Sequence, residues 1–115
     1  MQLIPNDIRA ALLANAARAA SDFDFDPEPV VKLFTPDAGA TWLFTRADEE
    51  GEDLRLWGLC DLGLGCPEFG SIMLSTLEGF RGLLGLQVER DLHFLPTQPI
   101  SRYIRQATAA GYLQA

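Results

Sequence analysis

The sequence is short of the residues that carry most enzymatic chemistry. It has one His and two Cys among 115 residues. A structural zinc site takes four Cys or His ligands, commonly in closely spaced pairs. Cys60 and Cys66, six positions apart, with His93 as the sole imidazole, do not make such a set. The nucleophile elbow G-x-S-x-G, the H-E-x-x-H helix and the glycine-rich phosphate loops have no counterpart either. No apolar run approaches the roughly 20 residues that span a bilayer, so no membrane contact is expected. The opening MQLIPNDIRAALL lacks a basic stretch followed by an apolar core and cleavage site. No secretory signal is read there, the expected location is cytoplasmic, and both thiols are expected reduced.

Positive charge is scarce as well. Nine Lys and Arg stand against sixteen Asp and Glu, a net charge of -7. A protein that tracks phosphates presents a basic face, so direct nucleic-acid binding is not expected.

What the chain does have is core material. Apolar residues make up 48%, with seven Phe and two Trp, enough for a single domain over 1–115 without a cross-link. Residues 6–20 read as a helix capped by Asn6, with Ile8, Leu12, Leu13, Ala16 and Ala20 as its stripe. Strands are predicted at Val30–Phe34, Thr41–Thr45, Leu54–Leu59 and Ser71–Leu74, and the alternation from Val88 to Phe94 predicts a fifth. Ser75-Thr76-Leu77-Glu78 reads as a capping box opening a helix that buries Leu77, Phe80, Leu83 and Leu84 and stops at Gly85. A last helix runs from Ile100 to Ala110, burying Ile100, Tyr103, Ile104 and Ala107, with Gly111 as its C-cap. The order α-β-β-β-β-α-β-α predicts an α+β fold: a mainly antiparallel sheet of four to five strands with about three helices packed on it.

Two acidic clusters stand out, Asp22 to Glu28 and Asp48, Glu49, Glu50, Glu52 and Asp53. The second is expected as a loop at the tip of a hairpin, able to meet a protein partner with a basic surface. The glycine-rich CDLGLGCPEFG, residues 60–70, is expected to turn the chain, with glycines supplying positive φ. In a strand, Glu89, Asp91 and His93 share one face. With Asp61 or Glu68 brought near, they would form the one available metal or acid–base set. The competing expectation for that strand is a solvated outer face, with no cofactor. Asp22-Phe23-Asp24-Phe25-Asp26 opens like a calcium loop, but Pro27 and Leu33 occupy the positions that need Gly and Glu.

The segments PVVKLFTPDAGATWLFT, GLCDLGLGCPEFGSIMLSTLEGFRGLLGLQVERDLHF and ISRYIRQATAAG resemble a family of bacterial and plasmid proteins catalogued as domain of unknown function two-nine-five-eight. The resemblance runs over residues 29–94, with support at both ends. It implies cargo of plasmids and integrative elements, sometimes encoded near or fused to antirestriction-type modules, and it brings no catalytic residues. The leading expectation is a small acidic accessory protein of mobile elements that binds another protein, in its finer form an inhibitor of a restriction or CRISPR effector. A metal-dependent enzyme and a homodimeric structural accessory, paired through a sheet edge, are the alternatives.

Overall fold

The computed structural model describes residues 1–115. Three helices, α1 (Asn6–Ala19), α2 (Leu74–Gly79) and α3 (Ile100–Ala110), pack on five strands. The strands are β1 (Val31–Phe34), β2 (Thr41–Glu50), β3 (Asp53–Asp61), β4 (Glu68–Met73) and β5 (Glu89–Arg90). They lie in the order β4-β3-β2-β1-β5, and every pairing is antiparallel. The α+β architecture is the expected one, with the expected element order.

Alternation on the central strands sorts side chains onto two faces. One face gathers Leu33, Trp42, Phe44, Ala47, Leu54 and Leu56 under α1, where Leu12 is fully buried. The other holds a smaller cluster, Leu43 and Leu59 against Ile100, Tyr103 and Ala107 of α3. Between Phe44 and Arg46 the register shifts, so Thr45 is an extra residue in β2. Its freed carbonyl accepts the Asn15 side-chain amide of α1 at 2.9 Å. Gly58 lies opposite Phe44, and a Cβ there would stand 1.9 Å from the Leu43 carbonyl oxygen. Only glycine lets the two backbones approach so closely.

Several local expectations fail. Pro5, not Asn6, occupies the cap position of α1, extended at φ -67 and ψ 166, and its carbonyl accepts the Arg9 amide. Helix α2 does not open with a capping box. It starts one residue earlier, Ser75 lies inside its first turn, and it ends at Gly79 because Phe80 is extended. Leu83 and Leu84 are therefore exposed at 95% and 79% instead of buried, and Phe80 is exposed too. β4 begins three residues before the expected Ser71, and β5 keeps only Glu89 and Arg90 of the expected strand. Asp91 stops it: its side chain accepts the His93 amide at 2.9 Å, which bends the chain away from the sheet. Leu92 is consequently exposed. α3 forms as expected, with Gly111 at φ 83 closing it.

Candidate functional site

The acidic stretch is not a loop. Asp48, Glu49 and Glu50 belong to β2 and Asp53 to β3, leaving a two-residue turn, Gly51-Glu52. Gly51, at φ 61, fills the first turn position, which favours glycine. Four of the five carboxylates have partners within the chain. Asp48 accepts the Trp57 indole N–H at 3.0 Å, Glu49 meets Arg9 at 3.5 Å, and Glu50 accepts the Arg55 Nε–H at 2.8 Å. Asp53 accepts the amides of Leu54 and Ser75 and the Ser75 hydroxyl. Glu52 alone is uncommitted and exposed. The hairpin is acidic, but much of its charge is answered at home.

Glu89, Asp91 and His93 line one shallow cleft of about 280 Å³, but Asp61 and Glu68 do not join them, and no group of three or more His, Cys, Asp or Glu could hold an ion. Glu68 lies on edge strand β4, and Glu89 lies on β5 at the opposite edge. Asp61 is buried, and its two oxygens accept the Gly63 amide at 2.8 Å and the Leu113 amide at 2.7 Å. It ties the segment after α3 to the end of β3. Asp91 pairs with Lys32 at 3.5 Å, and the two line a cleft of about 520 Å³ with His93, Thr97, Tyr103 and Gln106. Lys32 also donates to the Ala115 carbonyl oxygen at 2.9 Å. Both charges of the cleft are thus engaged with each other or with backbone.

The feature missed in the sequence is at the other end of the sheet. The turn Thr35–Ala40 joins β1 to β2 there, the Leu62–Pro67 loop joins β3 to β4, and residues 80–88 lead into β5. They are clasped together. The Asp37 carboxylate accepts the amides of Leu84 and Leu86 at 2.7 and 3.2 Å. Its other oxygen, buried and without a donor, lies over Gly82, where a Cβ would approach within 1.7 Å. Gly63, at φ 79, packs on Gly39, and its missing Cβ would sit 3.0 Å from the Gly39 carbonyl oxygen. A bridge between Arg81 and Gln87 and the Gly82 amide bonded to Leu86 at 3.0 Å close a tight turn with Leu83 and Leu84 at its tip.

Five leucines, Leu62, Leu64, Leu83, Leu84 and Leu86, project from these loops with exposures from 45% to 95%. Single exposed leucines are ordinary, whereas these five stand on adjoining, internally bonded loops. The available signal was G-L-L-G, two large apolar residues between glycines, which suit a turn better than a helix.

The free thiols divide by environment. Cys66 is exposed in the β3–β4 loop, while burial pushes the Cys60 thiol up to about 11.

The chain matches the family described as "Protein of unknown function (DUF2958)" over residues 3–114. It belongs to that family. No curated protein and no solved structure matches it. In this DUF2958 chain the match takes in the acidic hairpin, the polar cleft and the leucine loops alike. No helix is long and apolar enough to cross a membrane.

Proposed function

We propose that this chain is a protein-binding module that docks a partner of basic surface through the leucine-bearing loops at one end of its sheet. The observation that carries the reading is the clasped turn holding Leu83 and Leu84 at 95% and 79% exposure. Leaving a leucine in water forgoes about 1.5–3 kcal/mol of burial. A fold that commits a buried carboxylate oxygen and the close approach of Gly82 to fixing such a turn gains from it only when something covers it. Pre-ordered loops also lose little entropy on binding. The net charge of -7 supports a cationic partner and favours a fast, salt-sensitive encounter. A nucleic-acid-handling protein fits that description, since its working groove is basic. The acidic hairpin then steers the approach, and the leucines supply the short-range contact.

The test uses L83D/L84D, whose changes fall on solvent-facing positions and leave the core alone. Wild type and variant are compared in pull-downs from a bacterial lysate over a salt series, with circular dichroism confirming equal folding. A discrete basic protein held by wild type, released as salt rises and lost with the variant supports the reading. A partner retained equally by both, or by wild type independently of salt, overturns it.

A further inference from the structure

We infer that β4 is a self-pairing edge, joining two copies of this chain antiparallel about Ser71 into one continuous sheet. This goes beyond the leucine-end reading and does not depend on it. β4 pairs with β3 on one side only. None of the backbone bonds outside regular elements involves Glu68–Met73, so apart from the Met73 carbonyl, which opens α2, its outer amides and carbonyls have no partner in the chain. Folded proteins guard such an edge with charge, proline, a bulge or shortness. The other open stretches of this sheet are guarded. The outer side of β2 beyond Phe44 carries Arg46, Asp48, Glu49 and Glu50, and β5 is two residues long, Glu89-Arg90. β4 is six residues long, and Phe69-Gly70-Ser71-Ile72-Met73 contains no charge, no proline and no register shift.

The occupant follows from symmetry. An antiparallel strand paired with its own copy has a two-fold axis perpendicular to the sheet, so opposed residues must share a face. Centring on Ser71 meets that condition. It sets Ser71 against the partner's Ser71, Phe69 against the partner's Met73, and Gly70 against the partner's Ile72. Phe69, Ser71 and Met73 stand opposite Leu59, Trp57 and Arg55, on the face that α3 packs against. Phe69 is 39% exposed and already carries the Arg46 guanidinium 5.7 Å from its ring centre. On the reverse face a Cβ at Gly70 would meet nothing within 4 Å, which leaves a notch for the partner's Ile72. Two chains of charge -7 repel in general, yet this seam brings no like charges directly opposite.

The experiment is a cross-link. Opposed residues in an antiparallel pair have Cα atoms about 4.5–5.5 Å apart, within disulfide range. The C66S/S71C chain, mildly oxidised, is expected to run as a covalent dimer on a non-reducing gel, while C66S/S21C stays monomeric. Light scattering of the wild type is expected to give twice the chain mass of 12.6 kDa. S71E provides the second variant. Arg55 already donates to Ser71 Oγ at 3.0 Å, so a Glu there keeps a partner within the monomer, while two of them oppose at the seam. It is expected to stay folded and to weaken dimerisation at least roughly tenfold. A wild-type mass of one chain at all concentrations, or a dimer that S71C fails to cross-link and S71E fails to weaken, overturns the inference.

Discussion

Asp53, at the start of β3, caps α2 through Ser75, twenty-two residues further on: its carboxylate takes both the amide and the hydroxyl of that serine. The same device recurs at α3. There Asp26 accepts the Ser101 amide at 3.0 Å and the Ser101 hydroxyl at 2.5 Å, across 75 residues. Neither helix has a local side-chain cap. Orphan amides at the two helix starts are answered by carboxylates from distant strands and loops, which fixes where each helix meets the fold.

A pH dependence follows at Asp53. The Ser75 hydroxyl foremost, then the Leu54 amide, hold its carboxyl below the ordinary carboxylate value. A lowered pKa in the folded state favours the ionised form there, so the stabilisation is present above the unfolded value, near pH 4. It disappears as pH falls through the folded value. D53N should therefore melt below wild type at pH 7, and the gap should narrow by pH 3. A gap that is constant over that range contradicts the cap.

These carboxylates also mark where sequence reading stops. Periodicity and turn residues suffice for the antiparallel sheet and α3, because each signal is local: alternation in Thr41–Thr45, Gly111 after Ala110. Ser75 and Glu78 have the spacing of a capping box, yet Asp53 outcompetes Glu78 for the helix start, and no local pattern announces a partner so far upstream. Charge alone makes the run 48–53 a loop, because charge suggests exposure. Ala47 stands opposite Leu56 and Glu49 opposite Leu54 on the buried face, and that pairing carries the strand to Glu50. Hydrophobicity alone puts Leu83 and Leu84 in a helix, while Gly82 and Gly85 put them in a turn. The exposed leucine group escapes a reading of the sequence for the same reason, the assumption that leucines are inside.

Gly58 should tolerate no side chain. A Cβ there would lie 1.9 Å from the Leu43 carbonyl oxygen and 2.7 Å from the Phe44 Cα, both backbone atoms in the centre of the sheet. Relief requires moving β2 at its bulge, where Thr45 and Asn15 are hydrogen-bonded. G58A should cost about 1–3 kcal/mol or more, in the range of core overpacking, and lower the melting temperature by several degrees. Gly70, with open space at its Cβ, is the control: G70A should leave the melting temperature of the monomer nearly unchanged.

The two thiols should separate kinetically. Cys66, exposed, should react with a thiol reagent such as dithionitrobenzoate at neutral pH, while Cys60 reacts only on unfolding or at high pH, because the thiolate is the attacking species. Burial raises the Cys60 thiol to about 11. A raised value favours the neutral thiol in the folded state, so that contribution is whole below the unfolded value, near 8.5, and is lost as pH climbs towards 11. C60A should therefore flatten the fall in stability over that interval. Equal labelling of both residues in native protein at neutral pH would contradict the burial of Cys60.

The acidic hairpin separates steering from structure. Neutralising Glu49, Glu50 and Glu52 to Gln removes two exposed ion pairs, Glu49 with Arg9 and Glu50 with Arg55. Pairs of that kind contribute about 0–1 kcal/mol each. The change also relieves repulsion among carboxylates crowded at one turn, which offsets part of that loss. Asp53 is left in place, so the α2 cap survives, and so does the Asp48 bond to Trp57. The triple variant should fold as wild type does, with a stability change within about 1 kcal/mol. Its effect should fall on the rate of association with a basic partner, which slows and loses much of its salt dependence, while the dissociation rate stays close to wild type. L83D/L84D should show the opposite pattern, a preserved salt dependence and a faster dissociation. Stopped-flow or surface-binding kinetics on both variants distinguish the two contributions. If the triple change leaves the association rate untouched at low salt, the hairpin is a paired and solvated turn, and the leucine end must account for recognition by itself.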